Sequence, residues 1–155
     1  MLRRRILLPL LAALAGLLPA TSSAHGVQGP FGKAMLRELN RIRAHYHLPA
    51  VSDDRRMNRT ATSHSRDMAR RRYFAHGRWV GRVARAAGRA RSLGEVLGWL
   101  DHTSPRGEAV AMVRAWLHSP EHRRVLLDGD FGRVGIGRAT GSWSAIYTVD
   151  FASTR

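Results

Sequence analysis

The chain has 155 residues, enough for one domain with one core and too few for two comfortable ones. It holds no cysteine, which excludes a disulfide scaffold, a thiolate zinc site, an iron–sulfur cluster and a cysteine nucleophile. Lys and Arg number 26 against 11 Asp and Glu, a formal charge of +15, and such an imbalance speaks to partners rather than to fold.

The first 24 residues read as an export signal. Arg3, Arg4 and Arg5 precede an apolar run from Ile6 to Ala20, and Ser22-Ser23-Ala24 supplies the small residues that a signal peptidase reads. The run is short for a bilayer span, which takes roughly 20 residues. Cleavage after Ala24 would leave a single domain over 25–155, with no transmembrane segment, secreted or held in the periplasm or cell envelope. For an exported chain the positive charge favours an anionic envelope component, a lipid or an acidic protein, and argues against nucleic acid. Lys33 is the sole lysine, and the arginines are spread along the chain, so a solvated surface accounts for part of that charge.

Met35, Leu36, Leu39 and Ile42 recur at three- and four-residue steps and predict a helix over 31–47, ended by Leu48-Pro49-Ala50. Ser52 reads as the N-cap of a second helix reaching about Arg72, with Met57, Ala61, His64 and Met68 as its buried stripe. Glycines then dominate, with a short helix predicted near Val80–Ala87 and a strand near Ser92–Leu100. Ser104-Pro105 opens a further helix with Ala109, Met112, Val113 and Trp116 on one face, and Ser119-Pro120 opens another. Val134–Arg138 and Trp143–Phe151 read as two strands joined by a turn containing Gly141. This order predicts an α+β layered domain.

Three residues able to bind a metal or move a proton stand in distinct settings: His76 in an aromatic-flanked loop, Glu95 in an apolar segment, and His122 at the third position of a helix. His76 and Glu95 each have a plainer use, as a histidine bonded to backbone and as a structural acceptor. A helix start disfavours imidazolium, and a neutral histidine can ligate metal or accept a proton. His118 lies four residues before His122, but the Ser119-Pro120 break removes the shared helical face. His64 reads as a core histidine; His45, His47 and His102 lie near element ends, and His25 would be the new N-terminus. There is no Gly-x-Ser-x-Gly elbow, Walker loop or dinucleotide fingerprint. Gly135-Ile136-Gly137 reads as a site of close packing within a strand.

Taken in order, Leu39-Asn40-Arg41-Ile42-Arg43, Ala61–Met68, Tyr73-Phe74-Ala75-His76, Gly94-Glu95-Val96, Trp116-Leu117-His118-Ser119-Pro120-Glu121-His122-Arg123 and Val134-Gly135-Ile136-Gly137, with a strand ending at Phe151, form a recognisable set. The set resembles the CAP superfamily (cysteine-rich secretory protein, antigen 5, pathogenesis-related 1; the SCP domain) in its bacterial form, over a core of about 35–151. The resemblance implies a three-layer α-β-α sandwich with a surface cavity lined by histidines and glutamate, which in some members binds zinc or another divalent ion. Carried over, the metal-ligating positions are His76, Glu95 and His122, which with water would make an open zinc site. Two departures stand out: Val96 replaces a frequent asparagine, and a second cavity glutamate of many members falls near Ser119 and is absent. The expectation is therefore a non-enzymatic binding module for a divalent ion or small apolar ligand, with a basic surface for envelope or protein partners. The alternative is a zinc-dependent hydrolase in which Glu95 is third ligand or general base.

Overall fold

A computed structural model describes residues 29–101, 103–141 and 144–154. The expected leader over 1–24, His25, His102 and Trp143 lie outside the described residues. Among the described residues, the elements run α1 (Pro30–His45), β1 (Ser52–Asp53), α2 (Arg55–Arg71), α3 (Trp79–Ala87), β2 (Leu93–Leu100), α4 (Pro105–His118), α5 (Pro120–Leu126), β3 (Phe131–Thr140) and β4 (Ala145–Ser153). The strands form one sheet in the order β1-β3-β4-β2, antiparallel except for the short parallel β1–β3 pair.

The sheet separates two apolar layers, because successive strand residues point to opposite faces. Tyr147, Val149 and Phe151 of β4, with Val134 and Ile136 of β3, join Met35 and Leu39 of α1 and Met112, Val113 and Trp116 of α4 in the larger core. Ala152 of β4 meets Met57 of α2 and Val83, Ala86 and Ala87 of α3 in the smaller one. The result is the expected α-β-α sandwich. On the smaller side α2 lies directly on the sheet backbone. A Cβ at Gly135 would overlap the Met57 backbone, and one at Gly137 the Ala61 backbone. The paired glycines of β3 thus set the α2–sheet spacing, as their place in a strand suggested. Polar seams complete the contact: the Ile136 N–H donates to Asn58 Oδ1 at 2.8 Å, and Ser65 Oγ donates to Thr148 Oγ1 at 2.9 Å.

The buried stripes expected on α2 and α4 are buried as read. Two boundaries differ. Ser52 is not the cap of α2. It lies in β1, paired with Arg133, and Asp54 caps the helix by accepting from the Arg56 and Met57 N–H groups at 2.9 and 3.2 Å. A two-residue strand is too short to leave an alternating pattern, and aspartate caps as well as serine. The first strand of the closing hairpin is also longer than its apolar residues suggested: Phe131 to Thr140 pairs with Ala145 to Ser153, with a register irregularity between Phe131 and Arg133.

Arg43 explains the charged end of the Leu39–Arg43 piece. Its side chain is buried, 1% exposed, and donates from Nε to the Pro49 carbonyl (2.8 Å) and from Nη1 and Nη2 to the carbonyls of Leu126, Asp128 and Phe131, each at 2.9 Å. One planar guanidinium thereby fastens α1 to the loop after it and to the α5–β3 connection. Asn40 adds a reciprocal pair with Val51 at 3.0 and 2.8 Å.

Candidate functional site

The second face of β2 carries Glu95, and β4 places Asp150 directly opposite it in register. Gly94, beside Glu95, faces Phe131 and Val125 so closely that a Cβ would crowd both. Glu95 therefore lies on a strand whose backbone packs closely against Phe131 and Val125. Its side chain is 0% exposed. Both oxygens are engaged: Oε1 accepts from His76 Nδ1 at 2.7 Å, and Oε2 pairs with Arg82 Nη2.

His76 reaches Glu95 from the α2–α3 loop, which is pinned at three points. Arg72 turns the chain out of α2 in the left-handed conformation, φ 55°. Tyr73 donates its hydroxyl to Asp67 at 2.8 Å. His64, buried on α2, contacts the Ala75 carbonyl from Nε2 at 3.1 Å, and a carbonyl only accepts, so Nε2 carries the hydrogen. The core histidine read from the helix stripe thus positions the loop histidine. Burial, then the charge of Arg82, holds the His64 imidazole below its ordinary pKa. Arg82, on α3, grips both parts, since its Nη1 also donates to the His76 carbonyl at 3.2 Å.

A carboxylate only accepts, so His76 Nδ1 carries the hydrogen, and in the neutral ring the lone pair lies on Nε2. The His76 side chain is 45% exposed, leaving that edge accessible. His122 sits at the third position of α5 and its Nδ1 meets Ser119 Oγ at 2.9 Å. Burial, followed by the nearby His76, lowers the His122 pKa and favours the neutral ring. Both imidazoles have Nδ1 engaged, His76 on Glu95 and His122 on Ser119. Glu95 stands behind His76 as an orienting carboxylate. Among the described residues no three His, Cys, Asp or Glu side chains gather closely enough to hold a metal ion. The donor set is two imidazole nitrogens backed by a carboxylate. That suits a weakly held cation with open positions, not a closed three-ligand site. His118 stays apart: it is exposed, with its ring on the Arg114 carbonyl of its own helix at 2.7 Å.

Asp150 has no counterpart in the sequence reading. It is fully buried, and neither side-chain oxygen has a hydrogen-bond partner among the described residues. Burial, and then the adjacent Glu95, push its pKa well above the ordinary value of an aspartate. Its signal was present in the sequence. Tyr147, Val149 and Phe151 mark one face of β4, which puts Asp150 on the other face beside Thr148 and Ala152. Arg82 left no such signal, being one arginine among many.

The family model of the cysteine-rich secretory protein family, CAP, matches residues 36–151. In solved structures the chain is similar to an extracellular SCP-domain protein of Bacillus anthracis at 27% identity and TM-score 0.64, covering 79% of this chain and 40% of that one. It is similar in fold to an outer surface protein of Borrelia burgdorferi at 18% identity and TM-score 0.64, covering 84% of this chain and 98% of that one. A cysteine-rich secretory protein of Staphylococcus aureus matches at 14% identity and TM-score 0.64, over 79% of this chain and 38% of that one. The chain thus spans about two-fifths of the first and third of these proteins. No curated protein sequence matches it.

Proposed function

The chain belongs to the CAP family of cysteine-rich secretory proteins, and on that premise we propose that it is an exported, non-enzymatic binding module. Its His76–Glu95–His122 site receives a divalent cation or a small ligand, while its basic surface meets an anionic partner at the cell envelope. Bacterial relatives described as extracellular or secretory support the location. No described helix is long and apolar enough to cross a membrane.

The observation that carries the site reading is the 2.7 Å contact of His76 Nδ1 with a fully buried Glu95. It places the hydrogen on Nδ1, the arrangement by which a carboxylate tunes a metal-binding histidine. The carboxylates argue against turnover: Glu95 spends both oxygens on His76 and Arg82, and Asp150 is sealed behind it, so neither is presented to a substrate.

Calorimetric titration of the purified protein with zinc tests the reading. One-site binding that is lost in His76→Ala/His122→Ala supports it. No binding, or binding unchanged in the double variant, would sink it.

A further inference from the structure

Beside the histidine site, with Arg82 shared between them, α2 and α3 line a groove of about 380 Å³ on the protein surface. Arg56, Arg59, Thr60 and Ser63 line it from α2, and Arg82 and Arg85 from α3; no carboxylate does. Arg82 is neutralised by Glu95. Arg56, Arg59 and Arg85 take part in no ion pair among the described residues. Three uncompensated guanidinium groups therefore share one concavity, where low-dielectric walls concentrate their field.

A second surface cavity of about 410 Å³ shows that arginine lining alone is not the point. It is lined by Arg66, Arg70 and Arg138. There Arg70 is paired with Asp67 and Arg138 with Glu108, so two of the three charges are already answered from within the chain.

We propose that the α2–α3 groove is a phosphate-binding site, taking a compact, multiply charged phosphate group such as a diphosphate or a phosphomonoester. The charge count selects the class. A single carboxylate would answer one of the three free arginines, whereas a phosphomonoester carries about 1.5 to 2 negative charges at neutral pH and a diphosphate more. The planar fork of arginine matches phosphate oxygens in pairs, and Ser63 Oγ adds an exposed hydroxyl. The polar lining disfavours an apolar occupant, and the volume falls at the small end of ligand sites, roughly 300–1,000 Å³. This deepens the basic-surface half of the proposed function; Arg82 is common to both halves, so the test varies Arg59 and Arg85 and leaves Arg82 in place.

The phosphate could belong to a soluble compound or to a lipid headgroup, and two arms of one experiment separate these sources. The full chain is titrated calorimetrically with pyrophosphate and, in parallel, sedimented with vesicles of phosphatidic acid in phosphatidylcholine or of phosphatidylcholine alone. Saturable pyrophosphate binding is expected. It weakens about a hundredfold in Arg59→Gln/Arg85→Gln, about tenfold for each charged hydrogen-bonding partner removed. It is retained in Arg66→Gln/Arg70→Gln. Sedimentation with phosphatidic acid that is lost in the same groove variant assigns the site to a headgroup; pyrophosphate binding without sedimentation assigns it to a soluble phosphate. Absence of saturable binding in both arms, or an equal loss in the two double variants, overturns the inference. Zinc binding is expected to be the same in Arg59→Gln/Arg85→Gln and in the parent chain, so failure here leaves the histidine reading standing.

Discussion

Arg43 and Asp150 are both buried ionisable side chains, and the molecule treats them in opposite ways. Arg43 donates to four backbone carbonyls, those of Pro49, Leu126, Asp128 and Phe131, so its desolvation is offset at every nitrogen. Asp150 has neither oxygen partnered among the described residues, beside a second carboxyl that is itself clamped by His76 and Arg82. The α1 side of the sheet thus spends its buried charge on holding loops together. The α2–α3 side keeps acid, imidazole and guanidinium groups in tension around one half-exposed histidine. Full satisfaction marks structure, and incomplete satisfaction next to an open edge marks the place where a ligand is expected.

The comparison breaks most visibly at Arg43. Arg43→Met should cost on the order of 4 kcal/mol, because it strands several buried carbonyls at once; urea unfolding measures it, and a loss below about 1 kcal/mol would deny the structural role. On the site side, Gly137→Ala drives a methyl into the α2 backbone. About 2–3 kcal/mol of destabilisation is expected from that overpacking, together with loss of any zinc binding as α2 and its loop are displaced.

Asp150→Asn sharpens the contrast through pH. A carboxyl whose folded pKa is raised contributes its stability below the unfolded value of about 3.9 and loses it as pH rises toward the folded value. Asparagine removes that loss, so the variant should melt higher than the parent at neutral pH and converge with it in acid. A variant less stable at neutral pH would show that Asp150 is ionised and useful. His64 works in the opposite direction. Its pKa is lowered by burial, so the unfolded chain takes up a proton first as pH falls through about 6.5, and stability declines with acid. His64→Gln should flatten that decline in melting curves collected across this range. The smallest stability effect belongs to His76→Ala, about 1 kcal/mol, since the buried Glu95 loses one partner and keeps Arg82, with its consequence falling on zinc affinity instead.

The layers were legible because their signals are periodic: the stripes of α2 and α4 and the alternation in β4 repeat often enough to read. The three site residues were legible as separate pieces; the contact of His76 with Glu95 was not, since it depends on a loop pinned by His64 and Tyr73. Arg43 and Arg82 were illegible for a different reason. Each acts through a single long-range geometry, and an arginine-rich sequence hides two working guanidiniums among many solvated ones. Asp150 needed only the period-two argument carried one residue further.

The central claim is that Glu95 fixes the His76 tautomer and frees Nε2 beside a neutral His122. Nitrogen-15 NMR of the imidazoles, recorded at mildly alkaline pH with and without zinc, tests it most directly. The account predicts a protonated Nδ1 and bare Nε2 on His76, with the Nε2 resonances of His76 and His122 both moving on zinc addition while His76 Nδ1 keeps its proton. A His76 protonated at Nε2, or Nε2 resonances indifferent to zinc, would contradict it.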